Sequence, residues 1–181
     1  HNLAFCYLFG KGVEKSDEKA VGYFQLAAQQ GLAASQFMLG ELLRKGKGIQ
    51  KSLEEAIRYF QLSAFQGYAS AFCSLAMFYE KGEGVERNEN EAFRLYSLAA
   101  NRGSKEAQYH LGICYEQGIG TQKNETQAFK YYKLAADRDL IPALVKTAEC
   151  FAHGIGVEKS AEIATYYYDR ALEEEIEQKA A

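Results

Sequence analysis

Tryptophan is absent from this 181-residue chain, proline occurs once, methionine twice and histidine three times. One proline against 16 glycines excludes proline-rich and collagen-like classes. No apolar run approaches the roughly 18–20 residues that a membrane-spanning helix needs. Neither sign of charge dominates: 21 Lys and Arg face 24 Asp and Glu, a net charge of −3, whereas a nucleic-acid clamp would be strongly basic. What is present is apolar material, 48% of residues with 13% aromatic, enough to build a core and too much for a disordered tail. The chain opens at His1 with neither an initiator Met nor a signal-like start, so it is expected to be a piece of a longer protein.

Its organisation is periodic. Gly-x-Gly pairs stand at Gly10/Gly12, Gly46/Gly48, Gly82/Gly84, Gly118/Gly120 and Gly154/Gly156, each 36 residues after the last. A fixed period of this size marks a stacked repeat. The repeats run 1–31 (truncated), 32–67, 68–103, 104–139 and 140–181, all in a single solenoid. In each, a first helix carries its apolar face at a 3–4 spacing: Ser35, Leu39, Leu42, Leu43; then Ala71, Leu75, Phe78, Tyr79; then Ala107, Leu111, Cys114, Tyr115. The first glycine of each pair ends that helix in a left-handed position. A second helix then starts at a recurrent cap, Ser16, Ser52, Asn88, Asn124 and Ser160. Glu55, Glu91 and Gln127 three residues on predict a reciprocal capping box in the middle three repeats.

The second helices carry an aromatic column, Phe24, Phe60, Tyr96, Tyr132 and Tyr168, expected to wedge between layers. Beside it runs a small-residue column, Ala27, Ser63, Ala99, Ala135 and Ala171. Gly31, Gly67 and Gly103 close the helices, with Asp139 in that place in the fourth repeat. The last repeat replaces the Leu26/Leu62/Leu98/Leu134 column with Arg170, which reads as a polar outer face ending the stack. The fold class is therefore all-α: an α/α right-handed superhelical solenoid of about five 36-residue helix-turn-helix repeats, ten short antiparallel helices in all.

The pattern A-x-x-x-L-G-x-x-Y-x-x-G-x-G, a cap, then A-x-x-[YF]-[YF]-x-x-A-A-x-x-G resembles the Sel-one-like repeat family, relatives of the tetratricopeptide repeat. Ala107, Leu111, Gly112, Tyr115, Gly118, Gly120, Ala128, Tyr131, Tyr132, Ala135 and Ala136 match it best, and the resemblance covers essentially the whole chain. It implies an adaptor that scaffolds other proteins and carries no family-wide active site. The expected function is a non-enzymatic scaffold holding a partner peptide or domain in its concave groove. The alternative is a regulatory subunit or bacterial host-interaction factor binding through loops or the convex face.

By analogy with tetratricopeptide folds, first helices line the groove. Their residues outside the core columns are then the candidate contacts: Met38, Glu41, Lys45, Ser74, Met77, Lys81, Tyr109, His110, Ile113, Gln117, Lys146 and Glu149. These positions vary between repeats whereas the core columns do not. Met38, Met77, Tyr109 and Ile113 form a candidate apolar strip, suited to an amphipathic helix or extended segment and flanked by Glu41, Lys45 and Lys81. The opposing reading packs them sideways between repeats as core.

Other motifs point elsewhere only briefly. Ser16-x-x-Lys19 matches the S-x-x-K of serine β-lactamases, the basis of a hydrolase alternative, but Ser16 shares its column with helix caps and no S-D-N or K-T-G accompanies it. Lys15, Lys51, Arg87, Lys123 and Lys159 form a basic ladder that neighbouring acids neutralise, which argues against a phosphate track. His1, His110 and His153 lack ligand-spaced partners, so no metal and no cofactor is expected. Cys6, Cys114 and Cys150 share a column in different repeats, too far apart for a disulfide, with Cys73 in another. Reduced thiols point to the cytoplasm. The sequon Asn124-Glu125-Thr126 keeps a secretory lumen or secretion open. The resemblance adds that the secreted cysteine-rich branch has a Cys pair within each repeat, which this chain lacks.

Overall fold

Each second helix begins at a side-chain cap. In the computed structural model, which describes residues 1–180, Ser16, Ser52, Asn88 and Asn124 have extended backbones. Their side-chain oxygens accept the backbone N–H of Lys19, Glu55, Glu91 and Gln127 at 3.0–3.2 Å. Ser160 does the same for Ile163. Each bond satisfies one of the donors a helix start leaves open, worth about 1 kcal/mol. The helices so started are α2 (Asp17–Gln29), α4 (Leu53–Phe65), α6 (Glu89–Asn101), α8 (Glu125–Ala136) and α10 (Ala161–Ala180).

The first helices, α1 (Asn2–Phe9), α3 (Ala33–Lys45), α5 (Ala69–Lys81), α7 (Lys105–Gln117) and α9 (Ile141–His153), all end at a glycine with φ between 67° and 80°. That conformation is open to glycine because it has no Cβ to clash. Among the described residues there are ten helices and no strand. This is the all-α helical-repeat class that the sequence predicts.

The capping boxes at Ser52 and Asn124 form only by half. The backbone N–H of Ser52 donates to the Leu43 carbonyl at 3.1 Å, and that of Asn124 to Tyr115 at 2.8 Å. Ser16 and Ser160 donate likewise to Tyr7 and Phe151. A carbonyl in the last turn of the first helix lacks an in-helix partner, as does the cap N–H, so the loop pairs the two. The Glu or Gln three residues on is released from that duty, and Glu91 instead grips Arg94 at 2.6 and 2.8 Å.

The chain divides into two compact units, His1–Arg87 and Asn88–Ala181. In the first, α1 packs on α2, α2 on α3, α3 on α4 and α4 on α5. Phe24 and Phe60 are fully buried, and Phe60 meets Phe37 of its own repeat and Phe78 of the next at ring distances of 5.7 and 5.9 Å. Gly40 makes room for that ring: a Cβ there would lie 2.7 Å from it. Burying each ring stabilises by about 2–3 kcal/mol. In the second unit, α6 packs on α7, α7 on α8, α8 on α9 and α9 on α10. Tyr132 is fully buried against Ile113, Tyr109 and Cys150. Gly112 clears its ring as Gly40 does for Phe60, with a hypothetical Cβ 2.4 Å away.

One column behaves differently from the sequence expectation. Leu26, Leu62 and Leu134 are not buried by a following repeat; they stand 57%, 42% and 40% exposed. Docking is done two positions to either side, by the aromatic column and by Ala28, Ala64, Ala100 and Ala136, all buried. Arg170, in the leucine column, is likewise not a simple polar ending: it reaches back to the Asp139 carboxylate.

Candidate functional site

In the first unit, α3 and α5 bring Glu41, Ser74, Met77 and Lys81 together around a pocket of about 40 Å³, closed by Arg44, Phe78 and Glu83. One helical turn explains the core of it. Glu41 and Arg44 lie three apart on one face, and Arg44 donates to both Glu41 oxygens, at 3.2 and 2.7 Å. Lys45 Nζ stands 3.4 Å from the same carboxylate, and Ser74 Oγ donates to it across the gap between repeats at 3.4 Å. The hydrogen bond it donates to Glu41, with the charges of Glu41 and Glu83, raises the Arg44 pKa above its ordinary value against the lowering effect of burial. Met77 is half-buried and gives the pocket an apolar wall beside Phe78. Met38 is half-buried one turn before Glu41 and does not line the pocket.

Sequence reading missed Arg44, Phe78 and Glu83. The spacing Glu41–Arg44 was the available signal for the first. Phe78 stands in a core column, so the sequence marks it only as core. Glu83 is the middle residue of a Gly-x-Gly loop, a position read only as a turn.

The second unit arranges its candidates differently. Tyr109 packs on the cores formed around Tyr132 and around Leu144 and Phe151, its ring 5.8 Å from that of Tyr132. Ile113 is half-buried against Ala128, Tyr132 and Cys150. Both therefore give one side to inter-repeat packing. His110 stacks flat on Tyr96, with ring centres 4.8 Å apart. Gln117, the last residue of α7, is exposed. Lys146 lies between Glu116 at 3.4 Å and Glu149 at 3.1 Å. Burial opposes the Lys146 charge, but the two carboxylates outweigh it and raise the pKa.

Beneath this ion cluster the Tyr132 hydroxyl donates to Glu116 at 2.9 Å. Burial first, and then the Glu116 carboxylate, push the phenol far above its ordinary range. The Cys150 thiol is pushed up to about 11 for the same two reasons. It stays protonated, and so a poor nucleophile, at neutral pH.

The Ser16–Lys19 motif separates on folding. The Ser16 hydroxyl accepts the Lys19 backbone N–H as a cap and contacts Glu18 at 3.2 Å, whereas the Lys19 ammonium lies 5.4 Å over the Tyr7 ring. A serine used as a cap, with its lysine on a neighbouring ring, does not make a nucleophile–base pair. The basic ladder gains a structural role: a Cβ on Gly46 or Gly82 would meet Lys51 or Arg87 Cβ at 3.1 Å, so these side-chain stems cover the helix-ending glycines.

Comparison with known proteins gives the same architecture. The Sel1 repeat model matches residues 1–32, 33–68, 69–104, 105–140 and 141–175. A Sel1 repeat protein from Oxalobacter formigenes is 33% identical over 95% of this chain and 68% of its own, with a TM-score of 0.86. A protective antigen of uropathogenic Escherichia coli strains, displaying an SLR fold, is 28% identical with a TM-score of 0.84; the likeness covers 95% of this chain and 37% of the antigen. Cysteine rich protein B of Helicobacter pylori, 24% identical over 69% of this chain and 90% of its own at a TM-score of 0.55, shares the fold alone. No curated protein matches significantly.

Proposed function

From the premise that this chain belongs to the Sel1 repeat family, whose members are in general non-enzymatic protein-interaction scaffolds, we propose that it is an adaptor binding a partner peptide on its first helices. The single observation carrying this reading is the pocket between α3 and α5. There a half-buried methionine wall adjoins the Glu41–Arg44 pair and Lys81. A small apolar recess rimmed by fixed charges takes one anchoring side chain and orients the backbone beside it. Glu149 and Lys146 are the contacts offered by the second unit. A reducing compartment, the cytoplasm first, fits the four unbridged thiols Cys6, Cys73, Cys114 and Cys150; cell fractionation that finds the protein in a secretory lumen would remove that assignment.

A second reading, binding through the outer face as a regulatory or host-interaction factor, is favoured by one observation. Phe65 is 93% exposed on α4 beside the exposed Leu62, where Gln29, Asn101 and Asp137 occupy its column in other repeats. Affinity capture with wild type, Met77→Glu, Lys81→Glu and Leu62→Ser/Phe65→Ser, each shown folded by circular dichroism, separates the two. A partner lost by the Met77 and Lys81 variants alone supports the pocket. A partner lost only by the Leu62/Phe65 variant replaces it with the outer face.

A further inference from the structure

The last helix differs from the other second helices in three respects that belong together. It runs 20 residues where α2, α4 and α6 run 13, continuing as helix through Glu175, the position where Gly31, Gly67 and Gly103 turn the chain. It carries Leu172 where Ala28, Ala64, Ala100 and Ala136 let the next helix approach closely. And its aromatic wedge, Tyr168, is 42% exposed although the other four are fully buried. Tyr168, Leu172 and Ile176, at spacings of four, make one apolar stripe, with Leu172 and Ile176 58% and 59% exposed. A following repeat in the usual register would collide with Leu172; a helix riding further out, with long side chains of its own, would not.

The charge around the stripe selects what rides there. Asp169, Glu173 and Glu177 stand exposed along it. The two described cations of the helix are engaged, Arg170 by Asp139 and Lys179 by Glu175. A second copy of this helix would bring the same acids together. A cationic partner would be attracted to them.

We propose that the Tyr168–Leu172–Ile176 stripe of α10 is a docking surface for an amphipathic helix with basic flanks, distinct from the pocket between α3 and α5. The partner lays its apolar side on Leu172 and Ile176 and sets Lys or Arg against Asp169, Glu173 and Glu177.

The test is fluorescence anisotropy on the full chain with two labelled peptides of about 18 residues, one patterned Leu/Lys and its Leu/Glu counterpart. The Leu/Lys peptide should bind at least about tenfold tighter, and the binding should weaken with added salt. Leu172→Ser/Ile176→Ser should lose at least about tenfold. Glu173→Gln/Glu177→Gln should lose affinity and flatten the salt dependence. These side chains are exposed, so the variants should keep the wild-type circular dichroism. Equal binding of the two peptides, or full binding by the Ser variant, overturns the proposal. So does loss of binding in Met77→Glu, which would move the probe to the pocket. A dimer in sedimentation velocity that the Ser variant abolishes also overturns it, by making a second copy the occupant.

Discussion

Arg170 donates a hydrogen bond to the carboxylate of Asp139, and Asp139 is the one non-glycine residue with positive φ among those described (56°). Two departures from the repeat pattern, 31 residues apart, are thus a single device. Asp tolerates the left-handed conformation better than most residues, and an ion pair across the helix end fixes it there.

The pairing predicts a non-additive double mutant. Asp139→Gly relieves backbone strain but leaves Arg170 only its contact with Tyr166, while Arg170→Leu leaves Asp139 strained and unpaired. Urea unfolding of the four-member cycle should give a coupling of about 0.5–1 kcal/mol, modest because the pair is partly exposed. A coupling of zero would mean that the contact contributes nothing.

Two glycines with nearly the same φ should respond very differently to substitution. A Cβ on Gly156 (φ 67°) would lie 2.1 Å from the Glu125 carbonyl oxygen, whereas one on Gly12 (φ 73°) meets nothing within 4 Å. Gly12→Ala should cost only the left-handed backbone penalty, about 1–2 kcal/mol. Gly156→Ala must also push α8 from the loop and should cost at least about 2 kcal/mol more. Gly120, whose Cβ would meet the Glu89 carbonyl at 2.2 Å, should behave like Gly156.

Thr147 sits fully buried in the column that holds Leu39, Leu75 and Leu111, and its hydroxyl has no hydrogen-bond partner. Thr147→Val keeps the shape and removes the desolvated oxygen. Stability should rise by about 1 kcal/mol, read as a higher denaturant midpoint at unchanged m-value.

Glu91 is held below the ordinary carboxylate range, chiefly by its hydrogen bond from Arg94, which together with that residue's charge outweighs the opposing effect of burial. A depressed carboxylate pKa gives stability that is complete above the unfolded-state value, about 4.3. That stability is lost as pH falls through the lower folded-state value. In Arg94→Ala the Glu91 titration, followed by NMR, should move up toward the ordinary value, and the stability difference from wild type should vanish in acid.

Thiol reactivity should divide by burial. Cys6 is half-exposed, whereas Cys73, Cys114 and Cys150 are buried and Cys150 has its pKa raised to about 11. A thiol-reactive chromophore at pH 8 should modify Cys6 in the native protein and the other three only on unfolding. Rapid native modification of Cys150 would contradict the packing around Tyr132.

The repeat, its helix boundaries and its caps were legible in the sequence because they rest on local chemistry. A Ser or Asn oxygen reaches an N–H three residues away, and a glycine accepts positive φ, whatever lies across the interface. The capping box failed at its second half because the competing acceptors, the carbonyls of Leu43 and Tyr115, lie on another helix. Which leucines face out was hidden for a similar reason. Leu26 and Ala28 differ by two positions on one helix, and only the approach of the next helix decides which of them is buried.

The candidate site followed the same division. Sequence variation between repeats singled out Glu41, Ser74, Met77 and Lys81, but residues on α3 and α5 meet only once two repeats are stacked. That stacking brought in Arg44, Phe78 and Glu83 and turned one side of Tyr109 and Ile113 toward the core. By itself the sequence determined the period, the helices and the family, all consequences of interactions within about four residues. The tertiary structure alone decided the pairings between repeats, Arg170 with Asp139 and Gly156 against Glu125, because they depend on side chains brought together from more than 30 residues apart.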